Sequence, residues 1–121
     1  MRPTANSARK LPTILDGSEA ADLKKLMWQA GEAARLLKVL GNEKRLLILC
    51  FLSTRGEMTV GEILQVVKLS QSALSQHLGR LRADGLVAFR RSSQTLHYRV
   101  ADERALQILK MLRELYCNEL R

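Results

Sequence analysis

Two helical segments lie almost end to end in the middle of this 121-residue chain, and the gap between them restricts the fold more than any other feature. The first opens at Thr59, which stands in capping-box spacing with Glu62, and runs through Val67. Ser70 caps the second, "QSALSQHLGRLRA", which runs to about Asp84 and stops at Gly85. So short a connection makes the two helices one unit.

Apolar spacing places the other elements. From Ser18 to Leu40, residues Leu23, Leu26, Met27, Ala30, Ala33, Leu37 and Leu40 recur at every third or fourth position or near it, the period of an amphipathic helix. Asn42 is placed to cap a second helix, "EKRLLILCFLS", whose Leu46 to Leu52 stretch is apolar all round and predicts burial on most sides. Beyond the central pair, "LVAFRR" and "TLHYRV" read as two short strands, the latter alternating Leu96, Tyr98 and Val100 with Thr95, His97 and Arg99. "SSQ" supplies their turn, and Asp102 caps a last helix carrying Leu106, Leu109, Leu112, Leu115, Tyr116 and Leu120. The predicted fold is mainly α with a small β-hairpin, in the order α-α-α-α-β-β-α. Residues 1–17, interrupted by Pro3, Pro12 and Gly17, read as a flexible basic tail ahead of one domain, residues 18–121. Aromatic residues make up only 4% of the chain, so the core falls to Leu, Ile, Val, Ala and Met.

The net charge of +8 points to an anionic partner such as nucleic acid or an acidic membrane surface. The opening "MRPTANSARKLPTILDG" holds no apolar run long enough for a signal peptide, and no stretch approaches the length of a bilayer span. The expectation is a cytoplasmic protein with no membrane partner, in which Cys50 and Cys117 rest as thiols rather than as a structural disulfide.

On a helical wheel of residues 71–83, Leu74, Leu78 and Leu81 share a narrow arc. Ser72, Gln76, Gly79 and Ala83 cluster opposite, flanked by Ser75 and Arg82. Solvated faces usually carry Glu and Lys; this one is small or able to hydrogen-bond throughout. It suits a helix lying in a DNA major groove, where Gly79 and Ala83 permit close approach and Ser and Gln meet base edges. A short helix, a tight turn and such a second helix make a helix-turn-helix, with the hairpin as a wing. Arg90 and Arg91, beside Ser92 and Ser93, are placed for phosphate or minor-groove contact. Charge agrees: from residue 68 to 99, Lys68, Arg80, Arg82, Arg90, Arg91 and Arg99 face Asp84 alone. The candidate DNA-binding set is Ser70, Gln71, Ser72, Ser75, Gln76, His77, Arg82, Arg90 and Arg91. For His77 a local hydrogen bond and a DNA contact both stay open, and His97 reads as surface or wing contact.

"LSQSALSQHLGRLRADGLV" followed by "RRSSQTLHYRV" closely resembles the recognition helix and wing of the ArsR/SmtB winged-helix repressors, over roughly residues 22–120. The resemblance implies a winged helix-turn-helix, double-stranded operator DNA as partner, and a homodimer joined through the first and last helices. Segments 18–40 and 102–120 carry more apolar face than one small domain needs, which agrees independently. Members of this family commonly sense metals through Cys or His pairs on the third helix, or through Asp and His along the last. Here "VGEILQVV" has neither Cys nor His and the last helix has no His, so no metal site and no cofactor is expected.

The cysteines instead resemble those of the sulfide- and persulfide-responsive branch, the SqrR-, BigR- and HlyU-like proteins. Cys50 stands in "KRLLILCFL" of the second helix and Cys117 in "LRELYCNEL" of the last. The resemblance implies that reactive sulfur species link the two sulfurs within one protomer, as a disulfide or a longer polysulfide, and weaken DNA binding. Peroxide or another oxidant is an alternative inducer, and a metal-independent regulator with two structural cysteines is a competing reading. A non-specific nucleoid-associated protein is a further rival. It would bind without sequence preference, whereas a repressor favours an inverted repeat by at least about a thousandfold. No nucleophile–base arrangement, Gly-rich phosphate loop or paired carboxylate marks an enzyme.

Overall fold

Side-chain caps fix where four of the helices begin. In the computed structural model, which describes residues 17–117, Asn42 accepts from the Arg45 backbone N–H, Ser70 from Ala73 and Asp102 from Ala105. Thr59 and Glu62 form the full reciprocal capping box. The elements are α1 (Gly17–Leu40), α2 (Glu43–Arg55), β1 (Met58–Thr59), α3 (Val60–Val66), α4 (Gln71–Ala83), β2 (Val87–Ser92), β3 (Thr95–Val100) and α5 (Glu103–Tyr116). The expected order therefore holds with one addition, β1. The expected tail lies outside the described residues except for Gly17, which opens α1, and Leu120 lies outside them too.

The chain divides into two units, one ending at Arg35 and one beginning at Leu36. In the first, α1 exposes Leu23, Leu26, Met27 and Trp28, and Arg35 pairs with Glu32 at 2.9 Å. The second holds a single apolar core. Ile48, Leu49 and Leu52 from α2, Ile63 from α3, Leu74 and Leu81 from α4 and Leu109 from α5 are fully buried in it. The expectation that α2 is covered on most sides holds for Ile48, Leu49 and Leu52 but not for Leu47, which is exposed. Packed on β3 and α5, α2 keeps one flank uncovered.

The hairpin is part of a three-stranded antiparallel sheet of order β1-β3-β2. Met58 lies opposite Tyr98, and Phe89 lies opposite Tyr98 on the other side. The "SSQ" turn shortens to Ser93–Gln94, because Ser92 pairs with Thr95 and belongs to β2. Ser93 takes φ +56°, the left-handed value that the first position of a two-residue hairpin turn requires. Gly85, at φ +77°, ends α4 in a Schellman motif: its N–H donates to the Arg82 carbonyl and that of Leu86 to Leu81. That turn buries Leu86 and aims the chain into β2. No described helix is long and apolar enough to cross a membrane.

Candidate nucleic-acid interface and cysteine pair

The α4 leucines hold one side of that helix in the core, so its other side is presented outward. Ser70, Gln71, Ser72, Ser75, Gln76, Gly79, Arg82 and Ala83 are all exposed, and His77 is half-buried at the flank of the leucine stripe. The Ser70 hydroxyl caps α4 at 3.1 Å from the Ala73 nitrogen and lies 3.3 Å from the Ser72 hydroxyl. A Cβ added at Gly79 would meet nothing within 4 Å, so internal packing does not ask for glycine there.

Between α4, the start of α3 and the wing runs an open groove of about 600 Å³, with Gln71, Ser75, Gly79 and Arg82 on one wall and Gln94 and Thr95 on the other. Arg82 is seated as well as exposed. Its guanidinium carbon lies 4.4 Å from the Phe89 ring centre, and Phe89 meets Tyr98 edge-on at 5.4 Å. This stack joins α4 to the hairpin, a link that sequence alone does not show because Arg82 and Phe89 belong to different elements.

The two wing arginines separate. Consecutive strand residues point to opposite faces. Arg91 is exposed and shares the Phe89 face, whereas Arg90 donates through Nε to both oxygens of Glu57, at 2.9 and 3.1 Å. The Glu57 carboxyl is held below its usual range by that hydrogen bond, aided by the charges of Arg90, His97 and Arg99. Arg80 is paired too, with Asp84 at 3.0 Å. His97 is half-buried rather than fully outward.

Also in the second unit, the two cysteines are free and half-buried. Cys50 lies on α2; Cys117, expected within the last helix, is its C-cap, one residue beyond the helical turn. Three hydrogen bonds, together with the side chain of Arg113, run between their backbones. The Cys117 N–H donates to the Arg113 carbonyl at 2.8 Å, Arg113 Nη1 to Ser53 Oγ at 2.8 Å, and that hydroxyl to the Cys50 carbonyl at 3.0 Å. Burial pushes the Cys50 thiol up; a charge on Cys117 pushes the same way, and the Arg113 guanidinium opposes both. Sequence spacing named Arg113 as the nearest cation to Cys117, but not its anchor Ser53. Among the described residues no group of three or more His, Cys, Asp or Glu side chains stands close enough to hold a metal ion.

Residues 42–88, from the α2 cap into β2, match the family described as "Bacterial regulatory protein, arsR family". The transcriptional activator HlyU of Vibrio cholerae is 43% identical over 97 residues, 80% of this chain and 89% of that protein. The biofilm growth-associated repressor of Xylella fastidiosa is 38% identical over 91 residues, 75% of this chain and 79% of that protein. In three dimensions the crystal structure of the regulator HlyU from Vibrio vulnificus overlays with a TM-score of 0.74 at 46% identity, covering 79% of this chain and 99% of that one. With a reading helix, a wing and relatives that regulate transcription, this chain is a DNA-binding winged helix-turn-helix regulator and belongs to the ArsR family.

Proposed function

We propose that the protein is a homodimeric, cytoplasmic repressor whose operator binding is lost when Cys50 and Cys117 are bridged by reactive sulfur species. The observation that supports this reading is the Arg113 guanidinium, which is anchored on Ser53 between the packed helices of the two cysteines and whose charge acts on the Cys50 thiol together with that of Cys117. A thiolate is the nucleophile, and a nearby guanidinium favours it. One cysteine thiolate takes the outer sulfur of a low-molecular-weight persulfide and releases the carrier thiol. The second cysteine attacks the protein-bound sulfur of the resulting Cys–S–SH and expels sulfide. Two protein thiols and one persulfide thus give one disulfide, one carrier thiol and one hydrogen sulfide; the cysteine sulfurs are oxidised and the transferred sulfur is reduced. A second persulfide leaves one extra sulfur in the bridge. Peroxide would give the disulfide with two waters and no longer bridge.

In this reading Ser72, Ser75 and Gln76 meet base edges, with Ser70, Gln71 and His77 at the same helix, while Arg82 and Arg91 take phosphates. Residues 18–121 form the regulatory domain, and residues 1–17 are a basic tail ahead of it. The bridge fastens α5 to α2 and so alters how two copies are spaced on an inverted repeat, a coupling that is allosteric when reduced and bridged protein differ in DNA affinity. Repression follows the named role of the Xylella fastidiosa relative.

The test uses an inverted repeat selected from random DNA by the reduced protein. Cys50→Ser and Cys117→Ser each bind it as tightly as the wild type and keep it when a persulfide is added. Release from either variant at the wild-type dose removes the pair from the mechanism.

A further inference from the structure

The two sides of the wing sheet carry different charges, and the register shows how. Arg90 pairs with His97, which pairs in turn with Thr59, so Arg90 and His97 share one face. Phe89, Tyr98 and Met58 share the other, the face on which Arg82 of α4 sits. Continuing the β1–β3 register one residue back brings Glu57 beside Arg99, on the Arg90 side. Glu57 is thus an acid set among Arg90, His97 and Arg99, and it engages Arg90 through both oxygens. Arg91, on the α4 face, pairs with no acid among the described residues.

We propose that Glu57 withholds Arg90 from DNA, so that the wing takes phosphate through Arg91 and the protein binds DNA less tightly, and with less salt dependence, than its count of basic residues implies. This rests on the DNA-binding reading of the wing. A phosphate approaching Arg90 meets the Glu57 carboxylate beside it, and an arginine already neutralised releases little counterion when DNA arrives. The Glu57 carboxylate stays ionised well below neutral pH, so the restraint is present throughout the physiological range.

The experiment measures affinity for a random-sequence duplex as a function of salt, for wild type, Glu57→Gln, Arg91→Gln and the double variant Glu57→Gln with Arg90→Gln. One phosphate contact changes the slope of log affinity against log salt by about 0.9, which corresponds to about fivefold in affinity at 0.15 M salt. Arg91→Gln flattens the slope by about that amount. Glu57→Gln frees a long, flexible arginine, steepens the slope and tightens binding by up to about fivefold. The double variant returns to the wild-type line. A double variant as weak as Arg91→Gln, or a Glu57→Gln line superimposed on the wild type, overturns the proposal. A wild type whose binding ignores salt would instead overturn the DNA-binding reading beneath it. Circular-dichroism melts of all four proteins keep loss of fold separate from loss of charge.

Discussion

At the scale of single residues, Arg113 carries the most consequence for its size. Its guanidinium is anchored on the Ser53 hydroxyl, and its charge opposes the burial that raises the Cys50 thiol. Removing the charge while keeping a polar side chain should therefore raise the Cys50 thiol further. For Arg113→Gln, the rate of Cys50 alkylation followed against pH is expected to move to higher pH and to fall at neutrality, because the thiolate is the reacting form. A profile identical to wild type would show that the guanidinium does not act on the thiol. Arg90 teaches the complementary lesson. Read along the chain it is half of a basic pair with Arg91, yet its partner Glu57 stands 33 residues away. Only sheet register brings them together, so no local pattern reveals it.

At the scale of elements, the outward face of α4 is where the proposed DNA contact can be tested. Gly79 has open space around a would-be Cβ, and glycine within a helix costs roughly 0.5–1 kcal/mol relative to alanine. Nothing inside the protein offsets that. Gly79→Ala is expected to raise stability by about 0.5–1 kcal/mol in denaturant titration. It should also weaken operator binding by about tenfold, the size of one lost base contact. Tighter or unchanged operator binding would mean that DNA does not approach the helix at Gly79. Elements were legible where their signals are local: the caps at Asn42, Thr59, Ser70 and Asp102 and the stop at Gly85 all act where the sequence places them. β1 was not legible, because Met58 and Thr59 are too few to show a period of two. The turn was drawn one residue too long for a related reason: Ser92 has a turn-forming side chain but continues the ladder opposite Thr95. The outward face of α4 was legible from its leucine stripe, whereas the Arg82–Phe89 contact depends on tertiary packing.

At the scale of the whole molecule, the apolar residues left uncovered bear on how many copies work together. On α1, Met27 and Trp28 are 65% and 69% exposed; on α5, Leu115 and Tyr116 are 66% and 77% exposed. Contiguous apolar surface of this kind marks interaction sites, and in the proposed function a second copy of the chain covers it. Leu115→Glu, which touches neither the core nor α4, is expected to sediment as a monomer at micromolar concentration where the wild type sediments as a dimer. Equal sedimentation of the two proteins would take α5 out of the contact. The proposed dimer sets two reading helices about one DNA turn, roughly 34 Å, apart. Here the stack of Arg82 on Phe89 on Tyr98 has a further consequence. By clasping the hairpin to α4, it makes each DNA-binding head of the proposed dimer one jaw. In the proposed function, a sulfur bridge at the cysteines then moves helix and wing together. So read, the bridge acts as the screw of a caliper does, changing the opening between the jaws rather than the shape of each.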